Sequence, residues 1–319
     1  MDFDALYKKC VQCPRKCGVD RVENTGFCRE PADLRIAFAG LHFGEEPLIT
    51  VFGGSGTIFF TGCTLRCAFC QNYQISQDGL GRVVDKTEFV DICLKLQAAG
   101  AENINLVTGS HHIPKIAEFL RAARDGGVTI PFCWNSSAYE SVEMLELLKG
   151  LVTVWLPDLK TLDGNLSRSL FAAPDYPASA TAAIRWMIEN NPLDIVHVSK
   201  NGESREKMMS GVIIRHLFMP GKFEQTADVL AWLKENADNQ AIISLMNQYT
   251  PIPAKKGKIT QIEDRLVTPE EDADIQDLIE AYDFEYLFYQ ELSDDTSWLP
   301  DFTRQQPFSN KLATPVWHC

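Results

Sequence analysis

Gly62-Cys63-Thr64-Leu65-Arg66-Cys67-Ala68-Phe69-Cys70 is the stretch on which the reading of this chain turns. Its C-x3-C-x2-C spacing offers three thiolates where an iron–sulfur cube has four irons, so one iron would be left free to bind something else. Thiolates are soft ligands that suit such clusters, and a reducing cytosol keeps them from pairing as disulfides. A zinc site or a group of core thiols could share the spacing. Core filling fits the local composition poorly: Thr64, Arg66, Gln71 and Asn72 surround the cysteines with polar groups, whereas core cysteines have apolar neighbours. Directly upstream, Gly56-Thr57-Ile58-Phe59-Phe60-Thr61 is a short β-rich run. The cysteines therefore sit in a loop leaving a strand, which is where barrel enzymes keep their chemistry.

Downstream of that loop, helical and strand patterns alternate as they do in parallel βα units. Asp85-x-x-Glu88 reads as a capping box opening a helix whose Phe89, Ile92, Cys93 and Leu96 share one face, with Gly100 placed to end it. Cys93 is thereby a core residue and not a ligand. Strands are predicted at 104–107, 130–134, 152–156, 212–217 and 241–246, and helices at 113–124, 142–149, 181–190 and 227–235. With the strand before the cysteine loop this makes six parallel strands and an α/β fold, a partial (β/α)6 TIM-like barrel open on one side. Two short strands, 34–41 and 48–52, precede it. The expected division is a Cys-rich leader over 1–33, a barrel over 34–290 and an irregular tail over 291–319 that wraps the surface.

The 319 residues suffice for a full core, and the formal charge of −13 argues against a nucleic-acid partner bound by phosphate neutralisation. No run approaches the roughly 18 apolar residues of a membrane span. Met1-Asp2-Phe3-Asp4 lacks the features of a secretory signal, so a cytoplasmic protein is expected. Ten cysteines clustered in two short motifs point to metal and not to a disulfide framework.

The cysteine spacing, with an aromatic residue before its last cysteine, resembles the signature of the radical S-adenosylmethionine (SAM) superfamily. The wider string, continuing through Gln71-Asn72-Tyr73-Gln74-Ile75-Ser76, is similar to the uncharacterised homologues of pyruvate formate-lyase activating enzyme. The resemblance implies a 4Fe-4S cluster on Cys63, Cys67 and Cys70 whose open iron chelates SAM. It also implies reduction by a flavodoxin- or ferredoxin-like donor, and a 5′-deoxyadenosyl radical that takes hydrogen from a substrate. That substrate could be the glycine of a glycyl radical enzyme, another protein side chain or a small molecule. Two rival classes are a non-catalytic iron–sulfur electron-transfer protein and a zinc-stapled interaction module.

In such a barrel, polar residues at strand ends are the candidate ligand contacts. Thr108-Gly109-Ser110 stands where the superfamily holds the SAM amino group, although the usual Gly-Gly-Glu form is missing and a turn with a helix cap would also explain it. His111 and His112 are either substrate-facing or capping residues. Asn135-Ser136-Ser137-Ala138-Tyr139-Glu140 is similar to the family's Asn-Thr-Ser-Gly-Tyr-Glu, with Asn135 and Ser137 suited to ribose hydroxyls and a carboxylate. Asp158 and Lys160 resemble an Asp-x-Lys element and project to one side. Val212 to Gly221 looks like Val-Arg-His-Leu-x-x-Pro-Gly; alternation lets only one of Arg215 and His216 face inward, and Arg215 is chosen for clasping the SAM carboxylate. Asn247, in Met246-Asn247-Gln248-Tyr249, is a contact for adenine or substrate.

The leader holds Cys10, Cys13, Cys17 and Cys28 within nineteen residues. Four thiolates satisfy either a structural zinc or a second iron–sulfur cluster. Spacing does not separate the two, and zinc is preferred. Cys319 reads as a free thiol.

Overall fold

In the computed structural model the described residues are 5–252, 258–296 and 298–319. The chain runs α1 (Ala5–Lys8), β1 (Arg35–His42), α2 (Pro47–Thr50), β2 (Ser55–Phe60), α3 (Tyr73–Ser76), β3 (Arg82–Val83), α4 (Lys86–Ala98), β4 (Ile104–Val107), α5 (Ile113–Asp125) and β5 (Phe132–Ser136). It continues through α6 (Val142–Leu145), β6 (Val154–Pro157), α7 (Gly164–Phe171), α8 (Tyr176–Asn190), β7 (Asp194–Lys200), β8 (Glu203–Leu217), α9 (Phe223–Asn236), β9 (Ile242–Met246), α10 (Pro269–Tyr282), β10 (Leu287–Gln290) and β11 (Ala313–His318).

One sheet carries the molecule, in the order β10-β9-β8-β6-β5-β4-β2-β1-β11. From β2 to β10 every neighbouring pair is parallel. The parallel set therefore has the six strands expected and β10 as a seventh. β1 and β11 extend the other edge antiparallel. Alternation along each strand divides the side chains between two faces. Ile58, Phe60, Leu106, Trp134, Trp155, Ile214 and Ile243 join the main core under the helices. Their neighbours Phe59, Val107, Cys133, Leu156, Ile213 and Ile242 point to the inner face.

Two of the segments that depart from the sequence reading close the inner face. Residues 48–52 are not a strand: Pro47 occupies the first turn of α2, where its missing N–H costs nothing, and Leu48 and Ile49 pack on Cys133, Val154, Leu156 and Ile213. Nor is the tail irregular throughout. Its Phe302 and Phe308 are buried against Phe38 and Phe59, with ring centroids 5.4–6.5 Å apart, and its last residues form β11 on β1. Pro315 is tolerated there because β11 is an edge strand and the pairing shifts register at Ala39/Gly40.

Candidate functional site

Gly62 turns the chain out of β2 with φ +82°, and a Cβ there would fall 2.2 Å from the Glu30 side chain, so leader and loop meet only through glycine. Cys63 and Cys67 are each 8% exposed and Cys70 is half-buried. The loop is held from three sides. Gly62 donates to the Ile75 carbonyl (3.0 Å), Ala68 to Leu170 (2.8 Å), and the Gln77 amide to the Cys67 carbonyl (2.8 Å). Cys70 Sγ lies 3.2 Å from Ser76 Oγ, and the Leu65 N–H donates to Cys63 Sγ at 3.4 Å. Burial pushes the Cys67 thiol far up and the Cys70 thiol up to about 11. A cation nearby works the other way: Lys160 lowers both. Three mutually close soft donors with a neighbouring ammonium fit the three-cornered hold on a 4Fe-4S cluster, and Cys63, Cys67 and Cys70 would be its ligands.

The next strand ends bring some candidates to this rim and commit others elsewhere. Asn135 and Ser137, two residues apart at the end of β5, are half-buried. Beyond β6, Lys160 Nζ sits 2.7 Å from Asp158 Oδ2, so the pair shares one side. Tyr176 OH locks that turn by donating to the Asp158 carbonyl (2.7 Å) and accepting from the Lys160 N–H (2.9 Å). Burial works against the Lys160 ammonium, but Asp158 and then Cys67 outweigh it and hold the amine protonated above its ordinary range.

Thr108, Gly109 and Ser110 each meet neighbouring protein groups. Thr108 takes φ +63°, costly for a β-branched residue, and donates its N–H to the Asn135 carbonyl at 2.9 Å. A Cβ on Gly109 would lie 2.7 Å from Ile116 and 2.8 Å from the Trp134 ring, so the glycine makes room for a neighbouring side chain. Ser110 Oγ donates to Glu140 Oε1 (2.6 Å), and Trp134 Nε1 donates to the same oxygen (2.9 Å). Glu140, missed as a site residue, is 2% exposed, its other oxygen has no partner among the described residues, and burial raises its pKa. Its place in a motif with Asn135 and Ser137 was the available signal.

Arg215 faces inward and makes the expected two-pronged clasp, but with protein carboxylates. Its Nε donates to Glu46 Oε1 at 2.8 Å, and its Nη2 pairs with Glu45 and Glu46 ahead of α2. A fork engaged by two glutamates braces α2. His216 faces the helices, 2.7 Å from the Leu159 carbonyl and 2.9 Å from Thr226 Oγ1, a satisfied structural histidine. Asn247 Nδ2 donates to Asp272 and to Tyr289 OH (3.0 Å), while its oxygen is buried without a partner among the described residues. Asn105 was overlooked. It is fully buried in mid-β4, and neither amide atom has a partner among the described residues.

The leader packs into the rim. Fully buried Arg21 donates to the carbonyls of Glu30 (3.0 Å), Pro31 (2.7 Å) and His111, and lies 3.1 Å from His112 Nε2. Arg15 donates to the carbonyls of Thr64 (2.9 Å), Phe171 (2.7 Å) and Ala172. His111 and His112 belong to this seam: His111 Nε2 is 2.7 Å from the Thr61 carbonyl, and His112 Nδ1 is 3.2 Å from Tyr7 OH.

A family model for the radical SAM superfamily matches residues 57–191. The chain is 31% identical over 291 residues to the uncharacterized protein MJ0674 of Methanocaldococcus jannaschii, covering 89% of this chain and 78% of that one. Among solved structures, Streptococcus suis SuiB bound to precursor peptide SuiA shares the fold over 73% of this chain, with a TM-score of 0.51 and 15% identity. The chain spans 47% of the length of SuiB. A domain of pyruvate-formate lyase-activating enzyme from Bacteroides vulgatus is 13% identical, covers 56% of this chain and 92% of its own, and has a TM-score of 0.39. The matched span begins on β2, carries the cysteine loop and runs through the ends of β4, β5 and β6, and a relative shares nearly a third of its residues over most of both chains: the chain belongs to the radical SAM superfamily.

Proposed function

We propose that this protein cleaves SAM reductively and directs the resulting radical to a C–H bond of a substrate. The observation that carries the reading is the Cys63/Cys67/Cys70 trio on the loop after β2, two of them buried and Cys70 half-buried, with half-buried polar side chains at the ends of β5 and β6. When bound, the cluster supplies the electron that splits the sulfonium carbon–sulfur bond, releasing methionine and the 5′-deoxyadenosyl radical.

The chain's own residues hold, orient and shield. Cys63, Cys67 and Cys70 would hold the cluster, with its remaining iron free for the amino acid end of SAM. Asn135 and Ser137 offer compact donors and acceptors to its polar groups. Lys160, kept cationic by Asp158, offsets the negative charge gathered at Cys67. Asn105 presents an unpaired amide to the inner face, where a buried polar group calls for a partner. Phe302 and Phe308 close one flank with Phe38 and Phe59, which keeps water from a reactive radical. The electron comes from a flavodoxin- or ferredoxin-like donor. The hydrogen comes from a glycine of a partner enzyme, as in the activating enzymes whose motif the loop resembles, or from another protein or small-molecule position.

The test is anaerobic reconstitution with iron and sulfide, then dithionite and SAM. The wild-type protein should yield 5′-deoxyadenosine, and Cys63→Ala, Cys67→Ala and Cys70→Ala should each abolish it. Retained production in any of the three would remove the assignment.

A further inference from the structure

β7 pairs with β8 along one side, and among the described residues no other strand pairs with it. The remaining free edges are blunted: β3 has two residues, β10 has four, and β11 carries Pro315. β7 has seven residues and no proline. The extra residue in its irregular pairing, Met209, lies on β8, so β7 itself runs unbroken. Such an edge presents a row of N–H and C=O groups ready to pair with another chain. We propose that β7 is a homodimer interface, in which two copies of this chain pair β7 with β7 antiparallel about a two-fold axis at His197.

The order of side chains along the strand is what selects a second copy. Alternation puts Asp194, Val196, Val198 and Lys200 on one face. With His197 opposite the partner's His197, Asp194 meets the partner's Lys200 at one end and Lys200 meets the partner's Asp194 at the other. Val196 and Val198 face the partner's Val198 and Val196 between them. Moving the axis by one residue either way sets a charge against a valine and loses both ion pairs. A two-fold contact must be self-complementary, and this register is. Asp194 and Lys200 are exposed while the two valines are half-buried, which gives the strand the apolar middle and charged rim of an interface. Within its own hairpin Lys200 stands opposite Glu203 and Asp194 opposite Ser210, and among the described residues neither charge is held in an ion pair. A seven-residue strand pair is a small contact, so the dimer should form at about 10–100 µM.

The test is sedimentation velocity of the reconstituted full chain from about 5 to 200 µM, with dithiothreitol present so that the exposed Cys319 cannot bridge two copies. The wild-type protein should pass from monomer to dimer. Asp194→Lys and Lys200→Asp each set like charges opposite one another at both ends and should weaken the dimer about 10-fold or more. Mixed in equal amounts, the two variants should dimerise again, because the cationic ends of one then face the anionic ends of the other. That rescue also shows that both variants are folded. A wild type still monomeric at the highest concentration, a dimer unmoved by either substitution, or a mixture no more associated than its parts overturns the proposal.

Discussion

The rim loop and the leader each gather cysteines, three in one and four in the other, and they are supported in opposite ways. The rim cysteines hang from a strand of the parallel sheet, and their loop is fixed by backbone bonds from neighbours such as Leu170 and Ile75. The leader has almost no regular structure after α1; two arginines tie it to carbonyls of the loop and of α7. A sheet imposes geometry before any metal arrives. A leader tied by one buried and one half-buried guanidinium keeps its geometry only while those cations are satisfied.

The largest stability change should follow from cutting the leader's tie. Arg21→Met leaves the Glu30, Pro31 and His111 carbonyls without a donor and should cost about 3–5 kcal/mol. Denaturant unfolding and limited proteolysis ahead of β1 would show it; a leader as resistant as in the wild type would mean that metal alone holds it. Acid tests the barrel instead. Burial holds the His216 ring down to about 4 while the unfolded chain takes its proton near the ordinary 6.5, so the unfolded state binds more protons between those values. Its stabilisation is complete above about pH 6.5 and falls away, by up to about 3 kcal/mol, as pH drops through 4. Unfolding at pH 7 and 4.5 should differ less in His216→Gln than in the wild type, and parallel losses would refute the assignment. The smallest effect belongs to the cation beside Cys67. Lys160→Met should leave the iron content unchanged and slow 5′-deoxyadenosine formation by about 10- to 100-fold; an unchanged rate would reduce its pairing with Asp158 to ordinary surface electrostatics.

Legibility varied with how local the signal was. β4 lies where the pattern put it, at Ile104–Val107, whereas the strand read at 130–134 begins at Phe132 because Pro131 has no N–H for the ladder. The 142–149 helix stops after Leu145, and Gly150 at φ +74° turns the chain towards β6. Two missed elements had local signals. Asn201-Gly202, both at positive φ, joins β7 to β8 as a hairpin turn, and Thr268 with Glu271 forms the capping box of α10. β10 and β11 had weaker ones, since a four-residue apolar run and a strand containing proline become strands only where an edge is waiting for them.

At the candidate site, Cys63, Cys67 and Cys70 and the shared side of Asp158 and Lys160 follow from spacing, because residues two to four apart in a loop or strand end are neighbours in any fold. What Arg215 grips could not be read this way: Glu46 is 169 residues away, and Arg15 meets the Phe171 carbonyl across 156. Sequence alone thus determined the two cysteine groups, the number of thiols in each and the βα alternation, all carried by short-range pattern. Tertiary structure decided that Arg215 braces α2, that His111 and His112 face the leader, and that the tail fills the inner face. Such pairings are chosen by the packing of the whole sheet, whose long-range contacts leave no periodic trace along the chain.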